Sequence, residues 1–151
     1  MQVTIISVGQ RTPSWIKQGF EEYVKKISLY LNCRLIEIPL EKSKKRTPTI
    51  IRKENEKILH YLKGTFNIAL DRQGIEKINY DFEKILFKNI SNDKIVFLIG
   101  GPEGLDQITL KYADEIWSLS KLTFPHMLTR IILIEQIYRA CCQNNCHPYS
   151  K

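Results

Sequence analysis

A chain of 151 residues, 43% of them hydrophobic, is long enough for one domain with its own core and is not composed like a disordered segment. The longest apolar runs, residues 95–99 and 131–134, are far too short to span a bilayer, and the first residues lack the pattern of a signal peptide, so the expected home is a bacterial-type cytoplasm. A formal charge of +7 fits nucleic acid, an anionic membrane surface or acidic proteins as partners and does not choose among them.

Residues 3–8 are rich in β-branched side chains and stop at Gly9, which predicts a first strand. Thr12-Pro13 predicts a helix cap with proline at the first helical position, and Ile16, Phe20, Tyr23 or Val24, Ile27 and Leu31 recur at helical spacing, carrying that helix to about Tyr30. A second strand covers residues 34–38, stopped by Pro39. Lys42, Lys44, Lys45 and Arg46 then form a basic loop, read either as solvated charge or as a phosphate-binding face. Thr47-Pro48 repeats the helix-start signal, with Ile51, Ile58 and Leu62 on the buried side.

Residues 66–70 predict a third strand and residues 71–74 a turn; Asn79 is placed to cap a helix that buries Phe82, Ile85 and Leu86. Residues 95–99 are the most apolar strand and are expected at the centre of the sheet, buried on both faces. A short helix over residues 106–112, a fifth strand over 115–119 and a long helix from Met127 to Cys142 complete the chain. Strands alternating with helices predict one α/β layered, Rossmann-like domain on a parallel sheet, with ligands beyond the carboxyl ends of the strands. The apolar residues of the last helix cover more than one of its faces, which predicts a partner and a two-fold dimer.

Three strand ends stand out: residues 70–74, Gly100-Gly101-Pro102-Glu103-Gly104, and residues 119–126. The glycine-rich turn matches neither a phosphate-cradling loop nor a dinucleotide fingerprint, and no serine nucleophile elbow or His-Glu-x-x-His motif is present. Cys33, Cys141, Cys142 and Cys146 suit neither a disulfide framework nor a zinc site, since adjacent helical residues point about 100° apart. No metal is expected.

The strand and turn from Ile95 to Leu105, the stretch Trp117 to His126, and Arg130 with Glu135, Gln136, Ile137, Tyr138, Arg139 and Ala140 resemble, in this order, the large-subunit (23S) ribosomal RNA pseudouridine N3-methyltransferases of the SPOUT class. Val8-Gly9, Trp15, Tyr23, residues 37–39 and the closing Asn145, His147, Pro148 and Tyr149 extend the resemblance over the whole chain; Ser150 departs from it where many relatives carry histidine. The resemblance implies a deep trefoil knot in the last third, a homodimer, and S-adenosylmethionine held by Leu70, Gly100, Leu119, Ser120, Lys121, Leu122, Thr123 and Phe124. It also implies methylation of a pseudouridine at N3 in the helix 69 region of 23S ribosomal RNA on assembled ribosomes, with His126, Arg139 and Tyr149 as catalytic residues; for the N3 proton of that reaction His126, Glu103, the Tyr149 hydroxyl, or a cationic residue that stabilises the anionic base are the candidates. Two other readings are a ribosome-binding protein without activity and a flavin- or nucleotide-binding domain. Failure to bind the methyl donor would mark the first, and a co-purifying chromophore or a preference for dinucleotides the second.

Overall fold

A computed structural model describes residues 1–43, 45–88 and 91–150. Strands β1 (Gln2–Val8), β2 (Asn32–Ile38), β3 (Phe66–Glu76), β4 (Lys94–Ile99) and β5 (Glu115–Ser118) form one parallel sheet in the order β2-β1-β4-β3-β5. Helices α1 (Ser14–Ile27), α2 (Pro48–Leu59), α3 (Asn79–Glu83), α4 (Gln107–Leu110) and α5 (His126–Asn144) connect and cover the strands. This is the α/β layered architecture that the alternating pattern predicts.

The central strand is β4, paired with β1 on one side and β3 on the other, as its unbroken apolar run requires. Its alternate residues serve different layers. Ile95, Phe97 and Ile99 face a core built with Phe20 and Ile27 of α1, Phe82 of α3, and Leu133, Ile134 and Ile137 of α5. Val96 and Leu98 face a second core closed by Ile58 of α2 and by Leu62 and Leu105. Each such side chain, fully buried, contributes roughly 1.5–3 kcal/mol of transfer free energy.

Several local expectations are corrected. Helix α1 ends at Ile27, and Pro13 rather than Thr12 stands at its N-cap, without a side-chain cap bond. The Thr12 hydroxyl is drawn elsewhere, accepting from the Arg130 guanidinium at 2.8 Å. At α2 the same signal holds: Pro48 opens the helix and the Thr47 side chain accepts from the Ile50 N–H. Residues 71–74 are not a turn, because β3 continues to Glu76 along β5 after a register shift between Leu70 and Ile75. Asn79 begins α3 rather than capping it; the Asp81 carboxylate accepts from the Ile78 N–H at 2.9 Å.

The outer-face argument for α5 also needs correction. The helix lies between α1, α3 and the sheet, and Leu133, Ile134, Ile137, Ala140, Cys141 and Cys142 are wholly buried within the same chain. Only Met127, Leu128, Ile131 and Ile132 remain half-buried among its aliphatic residues. Burial pushes the Cys33 and Cys141 thiols up to about 12, so both behave as small apolar side chains. Among the described residues, no helix is long and apolar enough to cross a membrane.

Candidate active site at the carboxyl ends of the strands

A cavity of about 530 Å³ opens beyond β4 and β5 and beside Leu70 to Arg72 of β3, where a parallel sheet gathers its ligands. Leu70, Gly100, Leu119, Ser120, Leu122, Thr123, Phe124 and His126 all line it. Lys121 is exposed and is not among the lining residues; Leu122 lies at the rim, 70% exposed. The walls are mainly apolar, with Ile99, Pro102 and Trp117 added to the leucines and Phe124, and carry Asp71, Arg72 and Glu103 as charged groups.

The wall after β4 is a tight turn in which the Gly104 N–H donates to the Gly101 carbonyl at 3.0 Å, leaving Pro102 and Glu103 at its tip. Gly104 has φ +80°, a left-handed conformation that favours glycine. Gly100 is required for a different reason from the one its position suggests. A Cβ there would lie 2.4 Å from the Gly104 carbonyl carbon and 2.5 Å from the Leu105 nitrogen, so the missing side chain makes room for the turn itself rather than for a ligand.

Helix α2 holds this turn from behind. Asn55 Oδ1 accepts from the Asp106 N–H, and Arg52 donates to Asp106 at 2.6 Å, while Asp106 caps α4 by accepting from the Thr109 N–H. Arg46 donates to Glu103 at 2.8 and 3.2 Å and grips the buried Glu54 at 2.6 and 2.7 Å. The Arg46 bonds, ahead of every other influence, hold the Glu103 carboxyl below its ordinary value. Arg46 is therefore committed to carboxylates, unlike the exposed Lys42 and Lys45 of the same loop; Lys44 lies outside the described residues. Sequence reasoning missed Glu54 and Asn55. The available signal was their position on the stripe Ile51, Ile58 and Leu62, where polar side chains face the interior.

The other wall is the segment from Leu119 to Pro125. The Ser118 hydroxyl donates to the Ser120 carbonyl and the Leu122 N–H donates to the Ser120 hydroxyl, which folds the strand end back over the cavity. Pro125 leads into α5, whose first residue is His126. The buried His126 Nε2 has no hydrogen-bond partner among the described residues. Burial, and then the nearby Arg130, lower its pKa below the ordinary 6.5, with Glu103 opposing, so the ring is neutral at neutral pH.

One turn further along α5, Arg130 is 1% exposed and ties the first loop to the sheet. Its guanidinium donates to Ser7 at 2.8 Å, the Gly9 carbonyl at 2.6 Å, and Thr12 and Glu37 at 2.8 Å each. Arg139 and Tyr149 are placed elsewhere. Arg139 pairs with Glu135 at 2.6 Å, the Tyr149 hydroxyl donates to Glu135 at 3.1 Å, and Tyr23 meets Tyr149 at 3.4 Å. The bond to Tyr23, partial burial and Glu135 push the Tyr149 hydroxyl above its ordinary value. The chain thus joins His126 to Leu70, Gly100, Leu119, Ser120, Leu122, Thr123 and Phe124 in one cavity and puts Arg139 and Tyr149 in a second cluster outside it.

A family model described as predicted SPOUT methyltransferase matches residues 1–150. Curated relatives named ribosomal RNA large subunit methyltransferase H include that of Saccharophagus degradans, 40% identical over 155 residues and the full length of both chains. That of Legionella pneumophila strain Paris is 40% identical over 158 residues, covering 100% of this chain and 99% of the relative; that of Xylella fastidiosa is 38% identical over 156 residues, covering 100% and 98%. A crystal structure of a probable methyltransferase from Bordetella pertussis Tohama I superposes with a TM-score of 0.62 at 11% identity, over 92% of this chain and 93% of that one, which bears on the fold alone.

Proposed function

The chain belongs to the SPOUT methyltransferase family, and on that premise we propose that it moves a methyl group from S-adenosylmethionine to N3 of a pseudouridine in 23S ribosomal RNA. It is a methyltransferase of large-subunit ribosomal RNA, the activity its full-length relatives carry in their names. The observation that carries the finer reading is the cavity: Leu70 to Arg72 within β3 and the loops after β4 and β5 converge on one mainly apolar space with a fixed carboxylate at its wall.

The residues present fit the methyl donor. Leu70, Leu119, Leu122 and Phe124 suit a flat adenine ring, the polar backbone of residues 118–124 suits its edge, and Glu103 suits a cationic group. Bound there, S-adenosylmethionine supplies an electrophilic methyl group on a positively charged sulfur. The chain must align the acceptor and remove the N3 proton. Of the three residues able to manage that proton, Glu103 has its oxygens engaged by Arg46, and Tyr149 holds its own proton tightly. His126 is neutral and lines the cavity, and its ring is not engaged as Glu103 and Tyr149 are, so we assign it the proton.

Arg139 follows His126 by thirteen residues, about 20 Å along a helix, so within one chain it does not serve the same cavity. We therefore read the catalytic unit as a homodimer in which Arg139 and Tyr149 of one copy complete the site of the other, with no metal taking part. The reading extends to one domain over residues 1–151, a trefoil knot in the last third, a cytoplasmic location, and assembled ribosomes modified in the helix 69 region. The test is incubation with methyl-labelled S-adenosylmethionine and intact ribosomes, followed by mapping of the label. Label on a pseudouridine N3 of 23S RNA is expected; label on another nucleotide, or none, overturns the assignment.

A further inference from the structure

Arg46 spends one guanidinium on two carboxylates. Both of its terminal nitrogens bond Glu54, which is 1% exposed and also accepts from the Glu41 N–H at 2.7 Å. Nε and one terminal nitrogen bond Glu103. One positive and two negative charges leave the trio with a net charge of −1. Glu54 lies on the buried face of α2, so that charge faces outward through Glu103, which lines the cavity. Arg52 is committed to Asp106, Lys57 to Glu41 and Arg130 to Glu37, while Lys42 and Lys45 are exposed to solvent and do not line the cavity. The other charged or titratable lining groups are Asp71, Arg72 and the neutral His126; Asp71 is followed in sequence by Arg72, whereas Glu103 belongs to the trio with the net negative charge.

A negative charge fixed by a buried partner is expensive to maintain in a wall whose only task is shape. It is useful where the ligand's charge changes during the reaction. Methyl transfer leaves the bonding electron pair on sulfur, so the sulfonium of the donor becomes an uncharged thioether in the product. The two molecules share every other group.

We propose that Glu103, fixed by Arg46 against the buried Glu54, is a specificity determinant that distinguishes the charged methyl donor from its thioether product. The proposal rests on the reading that the cavity takes S-adenosylmethionine, and it adds a role for residues outside that reading. Glu103 attracts the sulfonium and is indifferent to the thioether, so it favours exchange of spent product for fresh donor. Arg46 and Glu54 are positioning residues that act through Glu103.

The experiment is isothermal titration of the full chain with S-adenosylmethionine and, separately, with S-adenosylhomocysteine. Glu103→Gln keeps shape and loses charge; it should weaken the donor about fivefold to tenfold, the range of a partly screened charge pair, and leave the product nearly unchanged. Glu103→Asp, which retains the charge, should keep most of the preference. Equal weakening of both ligands, or no change in either, overturns the proposal, because a merely structural Glu103 would not alter the ratio. A wild-type chain that binds neither molecule overturns the methyl-donor reading instead. Unchanged thermal melting of each variant establishes that the fold is intact.

Discussion

Replacing Arg130 by methionine tests whether the buried guanidinium is the tie between α5 and the first loop. The substitution keeps much of the apolar stem and removes five donors from a site that is 1% exposed. Four acceptors then lose their partner: Ser7, the Gly9 carbonyl, Thr12 and Glu37. Breaking a buried ion pair from one side costs roughly 3–5 kcal/mol, chiefly through the charge left without compensation. Glu37 keeps 34% of its side chain exposed, so water recovers part of that loss and the lower end, about 3 kcal/mol, is expected. At this chain length that lowers Tm by roughly 6–12 °C. The assay is urea unfolding at fixed protein concentration, since any dimer makes stability depend on it. Pairing Arg130→Met with Glu37→Gln should cost less than the two changes summed, because the neutral amide no longer carries an orphaned charge. A loss below about 1 kcal/mol for Arg130→Met alone would refute the reasoning, since it would place the group among ordinary surface ion pairs.

Gly100→Ala should destabilise by roughly 1–3 kcal/mol and weaken donor binding together, because its Cβ meets turn backbone that no rotamer change relieves; an unchanged melting temperature contradicts this. His126 has a folded pKa below 6.5, so unfolded chains take up the proton first as pH falls. Its contribution to stability is present above 6.5 and lost as pH drops from there toward the folded value; urea midpoints that fall equally in wild type and His126→Asn would exclude it. Lys42→Gln with Lys45→Gln should reduce the salt dependence of ribosome binding by about one to two units of log–log slope without altering donor affinity. An unchanged slope would leave both lysines as solvated charge. Ile134→Glu buries a charge in the chain's own core and should prevent folding, whereas Ile131→Glu, on the half-buried face beside Gly19, should give a folded monomer by light scattering; a dimer at assay concentration would move the interface elsewhere.

The sheet was legible because its signals are local. Residues 95–99 are apolar at every position, which only a strand covered on both faces tolerates, and β4 lies at the centre. Thr47-Pro48 capped a helix as read, whereas Thr12-Pro13 did not, since an arginine 118 positions away claims the Thr12 hydroxyl. Gly74 was read as marking a turn, but a Cβ there would lie 2.7 Å from the Ile116 and Trp117 backbone, so the glycine admits a neighbouring strand. In both of these misses a tertiary contact overrides a local propensity, and nothing in a window of a dozen residues records it; at Asn79 the competing group, Asp81, is local.

The candidate site divides the same way. Its walls were legible by resemblance, and the cavity gathers all but one of those residues. Its supports were not, because Glu54, Asn55 and Arg130 act by being buried, and a single sequence gives a charged residue no mark of burial beyond its place on an apolar stripe. That difference has a physical basis. A cavity wall is built from short contiguous loops, so its residues stay together in the chain; the groups that fix the loops come from separate elements and meet only after folding. Arg46 reaches 57 positions to Glu103, and Arg130 reaches 93 to Glu37. Ordering such distant partners costs conformational entropy that the hydrophobic core must offset before the site has a shape. Substitutions at these supports should therefore lower stability and ligand affinity together, whereas Glu103→Gln, at the exposed end of one network, should alter ligand preference while leaving the fold intact.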